Sequence, residues 1–391
     1  MKKESILIVH NYYQIPGGED TVVENEKRML EDNGHKVFLY TRHNNEIKKR
    51  NILGKLILPF EAIYSFKTIK DIKKIIREND IDIVHIHNTL HLISPSVYKA
   101  AKDCGVKVIK TLHNYRLVCP SATLIRDGKV CKKCLESGLY NAIKYSCYRN
   151  SKLQSIITTS IIKFNRIIGS YKKIDKYILL TGFGEDIFKN FIGKNKICIK
   201  PNFCGSILKD SSEISYERKN YFVYFGRIDK LKGIDKLVNA WKKINNSTLL
   251  IIGVGPYEQE LKEDILNNNI NNIKYLGYKN RDEIRKIISN SYAVIVPSQW
   301  YEPFGMVVIE AFGMGTTVIA SNIGALGKIV KNNYNGLIFD YNNEQELITC
   351  INYLINNETE RIRLNKNAFQ SYLDNYTLDI NYRMLLDIYR Q

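Results

Sequence analysis

Residues 221–253 read YFVYFGRIDKLKGIDKLVNAWKKINNSTLLIIG. The two ends of this stretch, 221–226 and 249–253, are short apolar runs, and residues 234–243 between them have helical spacing. Near-continuous apolar strands separated by helices are typical of a parallel sheet covered on both faces. The pattern continues outward through predicted strands at 273–276, 293–297, 317–321 and 335–340, with helices between them and helical segments at 343–372 and 378–390.

The same alternation fills the first half of the chain. We predict strands at 6–10, 35–41, 81–87, 106–112 and 174–181 and helices at 21–33 and 94–103, with a glycine-containing loop after the first strand. The polar stretch 202–220 is the predicted linker. The 391 residues therefore predict an α/β protein with two doubly wound domains, in which ligands bind at the carboxyl ends of strands.

The charge is distributed unevenly between the two halves. The net charge is +18, and residues 1–200 hold 36 Lys and Arg against 19 Asp and Glu, whereas residues 201–391 hold 22 against 21. Such a balance indicates anionic partners, namely phosphates, nucleic acid or a membrane surface. The first apolar run is too short for a signal peptide, and no apolar stretch has the length of a membrane-spanning helix. We therefore expect a cytoplasmic protein.

Cationic residues follow the first strand of the second half. Gly226 and Arg227 come directly after that strand, and Lys232-Gly233 follows five residues later. A guanidinium and an ammonium at a strand's carboxyl end suit a diphosphate, although solvated loop cations would look the same. Gly253-x-Gly255-Pro256 forms a second glycine turn after a strand, which alone is a weak signal.

Residues 298–310, SQWYEPFGMVVIE, carry the strongest signal. The next predicted helix is 304–313, whose start Pro303 and Gly305 help to set, and the free N–H groups of that helix would point at an anion. Glu310 lies about one turn inside, among apolar neighbours, where a carboxylate needs a dedicated partner such as sugar hydroxyls. Capping plus a surface charge is the structural alternative.

Taken together, these motifs resemble the nucleotide-sugar glycosyltransferases of the GT-B fold, family 4, retaining type. The first half adds Gly17-Gly18-Glu19, Thr111–Asn114 and Lys200–Phe203, and the second adds Asn335-Gly336-Leu337. The resemblance implies two facing doubly wound, Rossmann-like domains with a closing cleft and a C-terminal crossover helix. Its implied limits are an acceptor-side domain at 1–202, a nucleotide-sugar domain at 203–375 and a helix at 376–391 that packs on the first domain.

The resemblance also assigns roles to residues. Arg227 and Lys232 would neutralise the diphosphate leaving group without a divalent metal, so no catalytic cofactor is expected. Glu302 would bind hydroxyls of the donor sugar, Glu310 those of the ribose, and His113 would lie near the sugar and the acceptor, although a satisfied strand-end histidine is the alternative. The remaining positions expected to contact the donor are Gly17, Gly18, Gly226, Gly255, Pro303, Phe304, Gly305, Met306 and Val307.

Four cysteines surround a turn in the first half. Cys119, Cys131, Cys134 and Cys147 form a C-x11-C-x2-C-x12-C array with a spacing that is plausible for zinc. Structural disulfides are rare in the expected compartment, so a structural zinc is favoured over four reduced thiols or an iron–sulfur cluster. Similar arrays occur in a subset of the family that the chain resembles.

Residues 47–77 and 151–176 are basic and amphipathic. Ile69, Ile72 and Ile76 share one helical face, with lysines around them. Such segments can lie on an anionic bilayer, or they can be core-facing helices with a solvated side. The charge bias of this half favours the membrane surface, and lipid-linked acceptors are frequent in the family.

The sequence therefore predicts a retaining glycosyltransferase, a hexosyl- or N-acetylhexosaminyltransferase of bacterial capsule, O-antigen or exopolysaccharide assembly. Its acceptor would be a lipid-linked glycan at the inner face of the plasma membrane. The alternatives are a nucleotide-sugar epimerase, a phosphorylase-like enzyme, or a basic nucleic-acid-binding protein, for which no recognition motif is present.

Overall fold

The computed structural model describes residues 3–14, 17–205, 208, 213, 214 and 217–391. The chain forms two compact units. The first comprises Met1–Arg126, Val130–Lys200 and Tyr382–Gln391, and the second comprises Asp127–Lys129 and Pro201–Asn381. Pro16 of the predicted glycine loop and much of the predicted linker lie outside the described residues.

The first unit is built on a six-stranded sheet with the order β2-β1-β3-β4-β7-β8, in which all neighbouring strands are parallel. A separate pair, β5 and β6, lies in the cysteine-rich segment. The strands are β1 (Ser5–Tyr12), β2 (Lys36–His43), β3 (Ile83–Ile86), β4 (Lys107–Leu112), β5 (Ile125–Arg126), β6 (Lys129–Val130), β7 (Lys176–Leu179) and β8 (Ile197–Ile199).

Helices of very different length connect these strands. Ser65 and Ser151 cap α4 and α8 by accepting hydrogen bonds from the backbone of Thr68 and Gln154. The helices are α1 (Gly18–Asp32), α2 (Glu46–Lys49), α3 (Ile52–Ile63), α4 (Phe66–Glu78), α5 (Ser96–Asp103), α6 (Lys133–Ser137), α7 (Tyr140–Lys144), α8 (Lys152–Ile167) and α9 (Gly182–Phe188).

The second unit has its own six-stranded parallel sheet, with the order β11-β10-β9-β12-β13-β14. The strand order reverses between β9 and β12, and the crevice at such a switch point is where doubly wound sheets bind ligands. The strands are β9 (Tyr221–Phe225), β10 (Thr248–Ile252), β11 (Ile273–Gly277), β12 (Ala293–Val296), β13 (Val318–Ser321) and β14 (Gly336–Phe339).

Helices cover this second sheet, and its central strands are almost fully buried. The helices are α10 (Ile234–Trp241), α11 (Glu258–Asn267), α12 (Arg281–Ser289), α13 (Met306–Gly313), α14 (Leu326–Ile329), α15 (Glu344–Asn356) and α16 (Glu358–Asn375), and the last helix of the chain is α17 (Leu378–Arg390). The two sheets confirm the predicted fold class of two doubly wound α/β domains.

Helix α17 is shared between the units, since its residues from Tyr382 onward belong to the first. There the Tyr389 hydroxyl lies 2.9 Å from His85 Nδ1, and Lys107 Nζ donates a hydrogen bond of 2.7 Å to the Tyr389 carbonyl. None of the described helices combines the length and the apolar character that spanning a membrane requires.

Three predictions about helices need correction. The proposed membrane face of α4 is wrong, because Ile72 and Ile76 are buried in the core. Helix α13 begins at Met306 rather than at 304, since Gly305 has a φ of +135°, which is not helical. The predicted helix 343–372 is two helices that are separated at Asn357.

Candidate functional site

The backbone after β9 and the backbone after β10 are in direct contact in the second unit. Gly226 N donates to Ile252 O at 3.0 Å, and Ile228 N donates to Val254 O at 3.0 Å. A Cβ at Gly253 would lie 1.8 Å from Gly226 O, and one at Gly255 would lie 2.2 Å from Ile228 O. These glycines are therefore needed for close backbone packing, whatever ligand they also approach.

The turn that carries Lys232 is fixed against the end of β12. Gly233 has a φ of +73°, and a Cβ there would lie 1.9 Å from Pro297 O. Gln299 N donates to Leu231 O at 2.9 Å and ties the two loops together. As a result, residues 70 positions apart meet, and Lys232 Nζ lies 2.6 Å from Glu302 Oε1.

Glu302 is a buried carboxylate with several hydrogen-bond donors. Ser298 Oγ and Trp300 Nε1 donate to the same Oε1 at 2.6 and 3.0 Å, in addition to Lys232. Charge-assisted hydrogen bonds of this kind are the strong ones in proteins. The structure thus places two predicted catalytic residues, Lys232 and Glu302, in one polar cluster at the switch point between β9 and β12.

Arg227 occupies a different environment at the end of β9. Its side chain is 63% exposed, and its Nε lies 3.3 Å from Asp229 Oδ2. An exposed pair of this kind contributes little to stability. The guanidinium is therefore available for an anionic ligand near the carboxyl end of the strand.

The predicted helix start follows this cluster. Gly305 precedes α13, whose first turn contains no acidic side chain. Phe304 is buried and packs against Tyr376 with a ring separation of 6.2 Å, and the next two residues, Met306 and Val307, are partly exposed. Pro303 is also partly exposed. The free N–H groups of this helix end can donate hydrogen bonds to an anion.

Glu310 lies in the second turn of α13 and has a perturbed acidity. Burial raises its pKa to about 7, against the smaller opposing effects of Arg281 and Arg285. Carboxyl groups with a pKa raised toward neutral pH are common in ligand-binding and catalytic sites.

Gly17 and Gly18 lie at the start of α1 in the first unit. Gly17 N donates to Asp20 Oδ2 at 2.9 Å. Both glycines are exposed, and a Cβ at either would meet no atom within 4 Å. Packing within the protein therefore does not require glycine here, which leaves room for a ligand to approach the backbone.

His113 follows β4 and is held by His87, which follows β3. Their nitrogens, His113 Nε2 and His87 Nδ1, are 2.9 Å apart, so one ring must donate to the other. Glu26 Oε1 lies 3.3 Å from His87 Nε2, an electrostatic contact rather than an aligned hydrogen bond. The carboxylate favours the proton on His87 Nε2, so His113 donates from Nε2 and keeps a lone pair on Nδ1.

Both rings are neutral at physiological pH. Burial, followed by the neighbouring His85, lowers the pKa of His87 to about 3. Burial, followed by His87 and Lys110, lowers the pKa of His113 well below its usual value. His113 is thus a neutral hydrogen-bonding group that can accept from a hydroxyl.

A buried ion cluster lies beneath these histidines. Glu26 Oε1 is 2.9 Å from His85 Nδ1, and Glu26 Oε2 is 3.3 Å from Lys200 Nζ. Burial alone would raise the pKa of Glu26, but His85 and Lys200 lower it well below its usual value. In the described part of the chain, Glu26, His85 and His87 form the one group with metal-ligand proximity, and Lys200 already supplies the compensating charge.

Two cations near His113, Lys110 and Arg116, could not be predicted from local sequence patterns. Lys110 is buried in β4 and donates to the His87 carbonyl, and burial lowers its pKa to about 8. Arg116 lines the same cavity as His113, and its Nε and Nη1 are buried without a hydrogen-bond partner among the described residues. Arg116 lies in the segment 113–120, HNYRLVCP. The sequence does not show that its side chain is buried, so it cannot be distinguished there from a surface arginine.

The four-cysteine array is brought together in part. Burial, followed by the neighbouring thiols of Cys119, Cys147 and Cys131, raises the pKa of Cys134 to about 12. All four are free cysteines, but they are not among the described groups with ligand atoms within 4.8 Å of one another. The thiols therefore lie near one another without forming a closed tetrahedral arrangement.

Comparison with known proteins defines the class. Glycosyltransferase Family 4 matches residues 16–202, and Glycosyl transferases group 1 matches residues 208–371. The chain belongs to this family of glycosyltransferases, and the predicted transferase activity is confirmed.

Individual relatives agree with this assignment. The chain is 27% identical to an uncharacterized glycosyltransferase of Methanocaldococcus jannaschii over 93% of this chain and 92% of the relative. It is 26% identical to a Klebsiella pneumoniae protein of the cps region over 79% of this chain and 78% of that protein. It is 24% identical to the Escherichia coli O-antigen chain mannosyltransferase C over 44% of this chain and 47% of that enzyme.

Solved structures share the fold. A glycosyltransferase from Rickettsia africae has a TM-score of 0.72 at 21% identity, covering 100% of this chain and 98% of its own. Sucrose-phosphate synthase from Thermosynechococcus elongatus has a TM-score of 0.70 at 16% identity, covering 100% and 99%. An Anabaena protein in complex with UDP has a TM-score of 0.68 at 17% identity, covering 99% and 100%.

Proposed function

We propose that this glycosyltransferase moves a sugar from a nucleoside-diphosphate sugar to an acceptor hydroxyl with retention of configuration. The observation that carries the proposal is the Lys232–Glu302 pair at the switch point between β9 and β12, followed by the uncapped N-terminus of α13. A lysine, an exposed arginine and a helix N-terminus together suit a diphosphate. The Anabaena protein of similar fold binds UDP, which supports a nucleotide donor.

The proposed chemistry breaks the bond between the sugar C1 and the diphosphate oxygen. The acceptor oxygen forms its bond to C1 on the same face, and its proton passes to the departing diphosphate oxygen. Arg227, Lys232 and the N–H groups of residues 305–307 would stabilise the charge that develops on the leaving group. Glu302 would orient hydroxyls of the donor sugar, and Glu310 those of the ribose.

Residues of the first unit would contact the sugar and the acceptor. Gly17 and Gly18 leave their backbone open to a ligand, and His113 offers a lone pair on Nδ1 to a hydroxyl. The two unpaired nitrogens of Arg116 would bind an anionic group of the acceptor, such as the phosphate that links a glycan to a lipid.

The relatives suggest the biological setting. Proteins of the Klebsiella cps region and an O-antigen mannosyltransferase are among them. We therefore propose that the acceptor is a lipid-linked glycan in surface-polysaccharide assembly, and that transfer takes place at the cytoplasmic face of the membrane.

A nucleotide-sugar screen tests the donor. A ligand that binds only the folded state raises the melting temperature, so UDP-, GDP- and TDP-sugars are compared at equal concentration by thermal shift. Release of the nucleoside diphosphate is then measured with the sugar that gives the largest shift, and NMR of the product gives the anomeric configuration. Absence of any shift across the panel would contradict the proposal, and an inverted product would contradict retention.

We also propose a structural zinc on the four cysteines. The donor set suits zinc, and a divalent cation would compensate the clustered thiolates, although the thiols would have to move closer together. Elemental analysis of purified protein should give about one zinc per chain, which is lost in Cys131→Ser and Cys134→Ser. Cys350→Ser is the control, and an unmodified protein free of zinc after metal-supplemented expression would contradict the site.

A further inference from the structure

Helix α3 is an apolar helix that the first unit leaves almost uncovered. Of its twelve residues only Ala62 is buried. The side chains of Ile52, Leu53, Leu56, Ile57 and Phe60 are 52–77% exposed. At about 100° per residue these five occupy one side of the helix. A soluble surface rarely exposes so many large apolar side chains together.

Helix α8 presents a second apolar stripe beside α3. Its exposed apolar side chains are Leu153, Ile156, Phe164 and Ile167, with Ile168 directly after the helix. The two helices touch through Ala62 and Ile161, and Asn165 Nδ2 donates to Ile63 O at 2.9 Å. Tyr64 contacts the rings of both Phe66 and Phe164, so the apolar side chains of α3, the start of α4 and α8 adjoin one another.

Unpaired lysines accompany this surface. Segment 47–77 holds nine Lys or Arg against two Asp or Glu, and helix α8 contains no acidic residue. Within the described ranges, the following exposed lysines of α2, α3, α4 and α8 form no ion pair with a carboxylate: Lys48, Lys49, Lys55, Lys67, Lys70, Lys152 and Lys163. An apolar stripe with basic surroundings matches the interface of a bilayer that contains anionic lipids.

We propose that the α3–α8 surface, meaning these exposed apolar residues and lysines, docks on an anionic lipid bilayer. The apolar side chains enter the boundary between headgroups and acyl chains, and the lysines contact lipid phosphates. Charge complementarity selects this partner over a second copy of the chain, because two such surfaces would bring like charges together.

Helix α8 lies between this surface and the proposed acceptor site, so membrane binding would place the bilayer near that site. This step rests on the proposed function. The inner side of α8 contributes Thr158, Ile161 and Ile162 to the cavity that His113 and Arg116 also line. A bilayer against the outer side would lie about one helix diameter, ~10 Å, from that cavity. A lipid-linked acceptor could then present its phosphate and first sugar without leaving the membrane.

Vesicle flotation tests the proposal with the full chain. We expect binding to phosphatidylglycerol-containing vesicles, weaker binding to pure phosphatidylcholine, and loss of the difference at high salt. Leu56→Glu, Phe60→Glu and Ile167→Glu should each lower the partition coefficient about tenfold or more, since each removes a large apolar side chain from the interface. Leu266→Glu, at a 75% exposed leucine of α11 in the second unit, is the matched control and should bind normally.

The outcomes separate this surface from the transferase activity. The variants lie at exposed positions, so circular dichroism and the nucleotide-sugar thermal shift should stay unchanged. A folded protein that does not bind anionic vesicles, or that binds them equally well with Leu56→Glu and Phe60→Glu, would overturn the proposal. A dimer by light scattering that Phe60→Glu converts to a monomer, without vesicle binding, would assign the surface to self-association instead. Failure of the nucleotide-sugar shift alone would contradict the proposed function and leave vesicle binding intact.

Discussion

At the scale of single residues, the two cations predicted to neutralise a diphosphate stand in different environments. Lys232 has a buried partner, Glu302, which depends on this ammonium and on two neutral donors. Arg227 is exposed and pairs with Asp229 at 3.3 Å. The sequence could indicate both cations, because each lies next to a glycine in the loop that follows a recognisable strand, but it could not show which of them also stabilises the fold.

Replacement of each cation should therefore have different effects. Lys232→Ala and Arg227→Ala should each lower turnover by about 10²-fold, the scale of losing one preorganised charge donor. Lys232→Ala should also lower the free energy of unfolding by about 1–3 kcal/mol, since Glu302 remains buried without its cation, whereas Arg227→Ala should change it by less than about 0.5 kcal/mol. Rates of diphosphate release and denaturant titrations measure both effects.

Lys230→Ala is the control for this pair of variants. Lys230 is an exposed lysine of the same turn that lies over the Tyr257 ring. Normal turnover is expected for it, and normal turnover in both Lys232→Ala and Arg227→Ala would contradict their assignment.

Glu310 predicts a pH dependence of donor binding. Because burial raises its pKa to about 7, the carboxyl group of the free protein is mostly neutral below that pH and ionised above it. If the ribose hydroxyls donate to the carboxylate, donor affinity should fall as the pH falls below about 7, approaching tenfold per pH unit. Calorimetric titration with a nucleotide sugar between pH 5.5 and 8.5 measures this, since its diphosphate is diesterified and does not titrate there.

Glu310→Gln serves as the comparison. The amide keeps the shape but cannot ionise, so its affinity should be lower at high pH and independent of pH. Glu310 has the opposite pH effect on folding. Because its pKa is raised, its contribution to the free energy of unfolding is greatest below about pH 4.5 and declines as the pH rises through 7. Equal pH profiles in both proteins would rule out Glu310 as the titrating group.

At the scale of elements, strands and strand-end loops could be predicted because apolar runs and glycine turns are local signals. Local patterns could not show whether an apolar helix face packs against the core or remains exposed. Ile72 and Ile76 of α4 face the core, whereas α3, which has far fewer charged residues, remains exposed. The ion cluster of Glu26, His85 and Lys200 was also hidden, since its members come from three distant segments.

The contact between the loops after β9 and β10 predicts an element-scale effect. Gly253→Ala should lower the free energy of unfolding by more than about 2 kcal/mol, because its Cβ would lie 1.8 Å from Gly226 O and the strand ends would have to separate. Gly277→Ala is the matched control at a φ of +65° with open space around the Cβ, and should cost only about 1 kcal/mol. Urea titrations compare them, and equal losses would refute the steric explanation.

At the scale of the whole molecule, the end of the chain belongs to the first unit. Leu385, Leu386, Ile388 and Tyr389 of α17 are buried, and Asn381, the last residue of the second unit, donates to Pro201 O. Both tryptophans, Trp241 and Trp300, lie in the second unit. Tryptophan fluorescence therefore reports on the second unit, whereas far-ultraviolet circular dichroism reports on both.

Deletion of residues 382–391 should consequently destabilise the two units unequally. Loss of four buried apolar side chains removes on the order of 5 kcal/mol from the first unit, which is comparable with the whole stability of a domain. During urea unfolding, part of the circular dichroism should be lost at much lower denaturant concentration, while the fluorescence midpoint stays close to that of the full chain. Tyr389→Phe, which removes only the hydroxyl that contacts His85, should shift the midpoint of the circular dichroism transition far less. If the deletion moved the fluorescence midpoint as much as the dichroism, the second unit would depend on these ten residues too, and the division of α17 at Tyr382 would be wrong.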